Sequence, residues 1–227
     1  MTKLPPHGEI AAKELIGRYG VRTPLRRFAT NIDEALDALH ELRPPVVVKL
    51  VSSVLHKSDV GGVRLGIDGA SALREAIEAI ARSAAGHRIV VDGYLIEETA
   101  PQGVEVLVGG VIDAVFGPAI VVGLGGIFTE IFDDVAARIC PIDRVDACEM
   151  IREVKASPLL FGARGRPRVD VEALADVLLA LGGQGGLLAE HAARVEAIDL
   201  NPVIVAPSGA VAVDARIAWR DATPHVA

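Results

Sequence analysis

The stretch VVVKLVSSVLHKSDVGGVRLGI, residues 46–67, opens as a valine-rich apolar run containing one cation, Lys49. It then passes into a polar loop with His56, Lys57, Ser58 and Asp59, followed by Gly61 and Gly62. The run predicts a buried strand approached through Pro44-Pro45. An ammonium on such a strand is costly unless it snorkels to water or meets an anion. Lys49 therefore reads either as a lysine facing a phosphate or as an edge-strand lysine in solvent. His56 offers an imidazole nitrogen that can serve as nucleophile, base or metal ligand near neutral pH. No cysteine or second histidine stands at ligand spacing beside it, which disfavours a metal. A surface-loop histidine is the plain alternative. The two glycines allow the loop to move.

The rest of the chain narrows the class. At 227 residues and 51% hydrophobic it can bury a substantial core. A net charge of −7 and the lack of any Lys/Arg-rich run argue against nucleic acid and anionic membranes. Cys140 and Cys148 form no CxxC and read as reduced thiols. The start, MTKLPPHGEI, has no signal-peptide core, and the longest apolar tract, VFGPAIVVGLGGIF (115–128), is too short and Gly-rich to span a bilayer. The expectation is a soluble cytoplasmic protein.

Periodicity predicts a helix over 8–20 closing on Gly20, and a second opening at Asn31 with Glu34 three residues later. A third helix is capped by Ser71, and a strand region follows over 88–99. Two strands, VEVLVGGVID and VFGPAIVVGLG, turn as a hairpin near Asp113-Ala114. Helices are expected over 145–155 and 169–181, then closing strands over 195–205 and 209–219. Strands and helices mix without strict βαβ alternation, which predicts an α+β fold, with two lobes meeting near residue 95.

Two phosphate motifs are excluded. No G-x-x-x-x-G-K-[ST] occurs, and GLGGIF lacks the third glycine of G-x-G-x-x-G and follows a hairpin rather than opening a helix. LIEET (95–99) puts Glu97 and Glu98 at a strand end, where they either accept hydrogen bonds from a ribose or amine or are simply solvated. Gly123, Gly125 and Gly126 permit close backbone approach to a ligand, or merely a tight turn. AIDLNPVIV and VAVDAR place Asp199, Asn201 and Asp214 on or beside two consecutive strands. Asp199 and Asn201 share a face by the period of two, and an antiparallel return can bring Asp214 opposite them. Oxygen donors without sulfur or imidazole suit Mg²⁺ on phosphates; ordinary strand-end punctuation is the alternative. A strand lysine, a carboxylate pair and a late Asn/Asp set together favour a nucleoside triphosphate site.

LHKSDVGGVRLGI, APQGVEVLVGG, VFGPAIVVGLGGIFTEI, LLFGARGRP and AIDLNPVIV with AVDARI resemble the ATP-grasp β subunit of ADP-forming acetate–CoA ligases, the NDP-forming acyl-CoA synthetase family. The likeness runs from about Glu9 to Ile217. It implies one ATP-grasp unit over 1–227, with lobes of 21–95 and 96–227, each a mainly antiparallel sheet with packed helices. Helix 8–20 would pack on the core and the nucleotide would lie between the lobes. It implies ATP/ADP and Mg²⁺ as cofactors, and a CoA-binding α subunit as partner in an αβ or α₂β₂ assembly without which the chain is inactive. His56 would carry the phosphoryl group. Lys49, Glu97, Glu98, Thr99, Glu105, Gly125 and Gly126 would bind nucleotide, and Asn201 and Asp214, with Asp199 beside them, would hold the metal. Succinyl-CoA synthetase β subunits share the unit but continue further, so the shorter type is expected. A non-catalytic ATP-binding regulatory module of a protein-acetyltransferase system is the alternative, and the intact His56 loop speaks against it.

Overall fold

The run at 46–51 becomes an inner strand, and the layering of its unit follows from that. A computed structural model describes residues 8–52, 61–125, 134–165 and 167–220. The chain divides into one unit of Pro24–Ala100 and another of Met1–Thr23 with Pro101–Ala227. The boundary expected near residue 95 would cut a strand, and the division lies after that strand instead.

The smaller unit is an antiparallel sheet of β1 (Arg26–Ala29), β2 (Val46–Val51), β3 (Val63–Ile67) and β4 (Gly93–Glu98), ordered β1-β4-β2-β3. Val46, Val48 and Leu50 form one core with Tyr94, Ile96 and the apolar sides of α2 (Ile32–Ala38) and α3 (Ala70–Gly86). Residues of the other parity, Lys49 and Glu97 among them, lie on the opposite face because strand side chains alternate. The Asn31 side chain caps α2 by accepting from the Glu34 amide. The Glu34 carboxylate reaches back one residue further than a capping box requires, to the amide and hydroxyl of Thr30.

Several expectations are corrected in this unit. Gly69, not Ser71, occupies the N-cap of α3; Ser71 lies inside the helix and donates to Glu75. The strand region expected over 88–99 shrinks to Gly93–Glu98 because Arg88, in the left-handed region at φ 56°, still belongs to the helix exit. β3 had no separate expectation. It is a five-residue edge strand with exposed Leu65, too short and too weakly alternating to announce itself.

In the larger unit, α1 (Glu9–Arg18) ends as expected, with Gly20 at φ 86°. The second sheet contains β5 (Val104–Asp113), β6 (Gly117–Leu124), β7 (Val135–Ile139), β8 (Val195–Ala206), β9 (Gly209–Ala212) and β10 (Arg216–Trp219). Its order is β10-β8-β5-β6-β7, with β9 also on β8, and every pairing is antiparallel. The β5–β6 hairpin turns where expected: the Asp113 carboxylate accepts from the amides of Val115 and Phe116. Helices α4 (Arg144–Glu153), α5 (Val171–Gly182) and α6 (Leu187–Glu190) share one core with inward residues of β5, β6 and β8. Asp143 and Asp146 form a full capping box at α4, and buried Asp134 accepts from the amides of Lys155 and Ala156 just beyond that helix.

The strand expected over 209–219 is two strands. The chain breaks at 213–215, where the Asp214 carboxylate accepts from the Ala215 amide at 2.8 Å and competes with the ladder. β7 had also gone unassigned, being short and at the sheet edge. Among the described residues no helix is long and apolar enough to cross a membrane.

α1 is tied to α6 by the Tyr19 hydroxyl, which donates to the Glu190 carboxylate at 2.6 Å. Desolvation first, and then that bond, pushes the phenol up to about 12. Its folded value therefore lies above its ordinary value of 10.0. The resulting stability is fully present below the ordinary value and is lost as pH rises through about 12. Tyr19→Phe is expected to lower Tm near neutral pH, with the gap to wild type closing in strongly alkaline solution. Thermal scans across the alkaline range check this, and an unchanging gap would show that ionisation of the hydroxyl is not involved.

Candidate functional site

Lys49 is on an inner strand, so the solvent-facing alternative does not apply. Its residue is 8% exposed and Glu97 2%. The register pairs Lys49 with Leu95 and Val47 with Glu97, which sets Lys49 and Glu97 diagonally on the face opposite the described helices. Their ion pair closes at 2.9 Å. The buried ammonium has thus met an anion, and that anion belongs to the LIEET segment. The other two members of that segment are engaged locally. The Glu98 carboxylate accepts from the Arg43 amide, and the Thr99 hydroxyl donates to the Pro45 carbonyl at 2.6 Å.

Sequence reasoning missed Arg26. It is the direct register partner of Glu97 on β1 and adds a second cation to that face. Alternation within LRRFA carries the signal, but a four-residue strand is too short to fix which arginine faces which way.

On the larger sheet, Val106, Val108 and Gly110 face the described helices, so Glu105, Leu107 and Gly109 occupy the opposite face. Asp199 pairs with Gly109 on one side and Arg216 on the other. The register of β8 with β10 (Asp199 with Arg216) continues unchanged into β9 (Val203 with Ala212). Both pairs sum to the same value, 199 + 216 = 203 + 212, so Asp214 falls level with Asn201 across the break. The amide of Val213 donating to the carbonyl of Pro202 keeps that alignment. The structure therefore brings Asp199, Asn201 and Asp214 together on one face, with Glu105 further along it.

The donors are two carboxylates and an amide, all oxygen, a set that fits a hard divalent cation. Burial pushes the Asp199 carboxyl up, against the opposing pull of Arg216, so a cation at this place would relieve a desolvated charge. Among the described residues no group of three His, Cys, Asp or Glu side chains could hold a metal by itself. A cation held here would need further oxygens, as Mg²⁺ takes from water and phosphate.

Gly125 donates its amide to the Glu105 carbonyl at 2.8 Å. A Cβ on it would stand 3.3 Å from the Glu105 Cβ. The glycine thus allows a close approach to the neighbouring strand, where a side chain would press on the Glu105 backbone. His56 and Gly126 lie outside the described residues. Cys140 and Cys148 are free, as expected, and burial pushes the Cys140 thiol up to about 11.

Comparison with known proteins joins these two faces to one family. The ATP-grasp domain family matches residues 7–218. The chain is 43% identical over 215 residues to the β subunit of ADP-forming acetate–CoA ligase I from Pyrococcus furiosus, covering 93% of this chain and 91% of that one. A solved structure of dinucleotide-forming acetyl-coenzyme A synthetase 1 from Ca. Korarchaeum cryptofilum, in complex with coenzyme A, Ca-AMPCP and HgCl⁺, matches with TM-score 0.88 and 40% identity. It covers 94% of this chain and 93% of that one. The same enzyme with coenzyme A and Mg-AMPPCP, its phosphohistidine segment pointing towards the nucleotide binding site, matches at TM-score 0.79 and 39% identity, covering 93% and 92% of the two chains. The chain belongs to the ATP-grasp family, in the branch that contains the β subunits of ADP-forming acetate–CoA ligases.

Proposed function

We propose that this chain is the nucleotide-handling β subunit of an ADP-forming acyl-CoA synthetase of the acetate–CoA ligase type, working in the cytoplasm with a CoA-binding α subunit. The overall reaction is acyl-CoA, ADP and phosphate giving acid, ATP and CoA, and its reverse. The observation that carries the reading is the alignment of Asp199, Asn201 and Asp214 on the face of the larger sheet opposite its described helices. The end-to-end likeness to a β subunit supports it.

Each residue has a distinct task. Lys49 supplies a fixed positive charge for nucleotide phosphate, and Arg26 adds to the potential on its face. The LIEET segment, Glu97 to Thr99, with Glu105 and the Gly125–Gly126 pair, frames the nucleotide. Asp199, Asn201 and Asp214 hold Mg²⁺, which when bound neutralises charge on the phosphates during transfer. His56 receives the phosphoryl group of an acyl phosphate on an imidazole nitrogen as the acid's carboxylate leaves. It then yields that group to the terminal phosphate oxygen of ADP. The partner makes the acyl phosphate, in an αβ or α₂β₂ assembly. That the relatives include a protein named as a β subunit, and another with a phosphohistidine segment, supports both points.

Three outcomes are expected. Mg-ATP at a hundredfold excess over Kd stabilises the protein by about 2.7 kcal/mol, read as a rise in Tm. Asn201→Ala combined with Asp214→Ala removes the magnesium dependence of that rise. A melting curve indifferent to millimolar Mg-ATP would overturn the nucleotide reading.

Radiolabelled phosphate from ATP is expected to appear on the protein in an alkali-stable, acid-labile form. His56→Gln abolishes that label and leaves Mg-ATP binding nearly intact. Label persisting in the variant would move the carrier role to another residue.

The chain alone makes no acetyl-CoA from acetate, ATP and CoA, and addition of its cognate α subunit restores synthesis. Robust synthesis by the isolated 227-residue chain would refute the dependence on a partner.

A further inference from the structure

We propose that the side chain of Glu97 is the internal counter-anion of Lys49, displaced from it by nucleotide phosphate, and that this exchange sets how tightly phosphate is held. The inference rests on the reading of Lys49 as a phosphate-binding lysine and gives Glu97 a role apart from framing adenine or ribose.

The geometry leads there. Lys49 and Glu97 sit on neighbouring inner strands whose backbones are locked by an unbroken ladder from Val46–Glu98 to Val51–Gly93. The pair closes at 2.9 Å with side chains 10% and 2% exposed, so water does little to screen either charge. A carboxylate so placed satisfies the ammonium in the absence of ligand and spares the fold an uncompensated buried cation. The same carboxylate, 2.9 Å from the ammonium, repels any second anion that comes to it. Phosphate therefore binds Lys49 only to the extent that it outcompetes Glu97. Arg26, opposite Glu97 in the register, gives the released carboxylate a second cation on the same face. Glu97 is in this sense a positioning residue: it holds the ammonium at a fixed place and lowers its affinity for anions.

The sign of the outcome separates this role from a merely structural one, since loss of a structural contact would weaken binding. Calorimetric titration of the full chain with Mg-ADP, and separately with adenosine, reads it directly. Glu97→Gln leaves Lys49 without its buried anion until phosphate arrives, so Mg-ADP is expected to bind about tenfold tighter than to wild type or better. Adenosine, which has no phosphate, is expected to show no such gain. The gain disappears in the Lys49→Met background. Without ligand, Glu97→Gln melts below wild type, and the double variant Lys49→Met/Glu97→Gln recovers most of the loss because both charges are gone.

Should Glu97→Gln fail to fold, Glu97→Asp retains the charge and draws it back by one methylene. It is expected to tighten Mg-ADP by a smaller factor, about threefold. Equal or weaker Mg-ADP binding by these variants, alongside a wild type that binds, would overturn this inference alone. So would a gain that survives Lys49→Met. A wild type that binds no Mg-ADP would remove the nucleotide reading, and this inference with it.

Discussion

Side-chain alternation along one-sided sheets is the constraint on which both candidate faces depend. Among the described residues each sheet packs its helices on one face, so strand side chains alternate between that core and the opposite face. On β8, the burial of Ile198 and Leu200 against the helices compels Asp199 and Asn201 outward. On β2, the burial of Val48 and Leu50 does the same for Lys49. A slip of one residue in either strand would drive a charged group into a core and an aliphatic one out. The hydrophobic pattern that stabilises each sheet thus also fixes the position of its polar groups.

Charge is managed differently on the two faces. On the smaller sheet a cation and an anion are already joined at 2.9 Å, and the face is close to self-sufficient. On the larger one Asp199 is only partly offset by Arg216, and desolvation raises its carboxyl. The first arrangement suits exchange of one anion for another, and the second suits gain of a cation.

Long strands with clean alternation were legible in the sequence. β5 carries it through Val106, Val108 and Gly110, and on β8 Ile198 and Leu200 alternate with Asp199 and Asn201 before the phase shifts and Val203 becomes the next core residue. The hairpin at Asp113 and the cap at Asn31 were legible because each has a side chain that satisfies a specific backbone donor. β3 and β7 were not, since five-residue edge strands owe their existence to a neighbour rather than to their own pattern. The break at 213–215 was also hidden: a single Asp hydrogen-bonding its successor's amide leaves no trace in hydrophobicity. Likewise LIEET announced two carboxylates at a strand end, but only the register shows that one of them reaches Lys49 and the other the Arg43 amide.

The discontinuous make-up of the larger unit bears on the order in which the protein matures. Its first segment, Met1–Thr23, leaves the ribosome before any strand of its own sheet has been made. The bond from Tyr19 to Glu190 spans 171 positions, and that from Arg22 to the Ser208 carbonyl spans 186. Residues 24–100 form a contiguous unit whose contacts are comparatively local, so it can assemble during translation while α1 waits. α1, made before every strand of its own unit, is therefore among the last elements of that unit to dock. Until then its apolar stripe, with Ile10 and Ile16, stays exposed in the nascent chain, a natural target for chaperones.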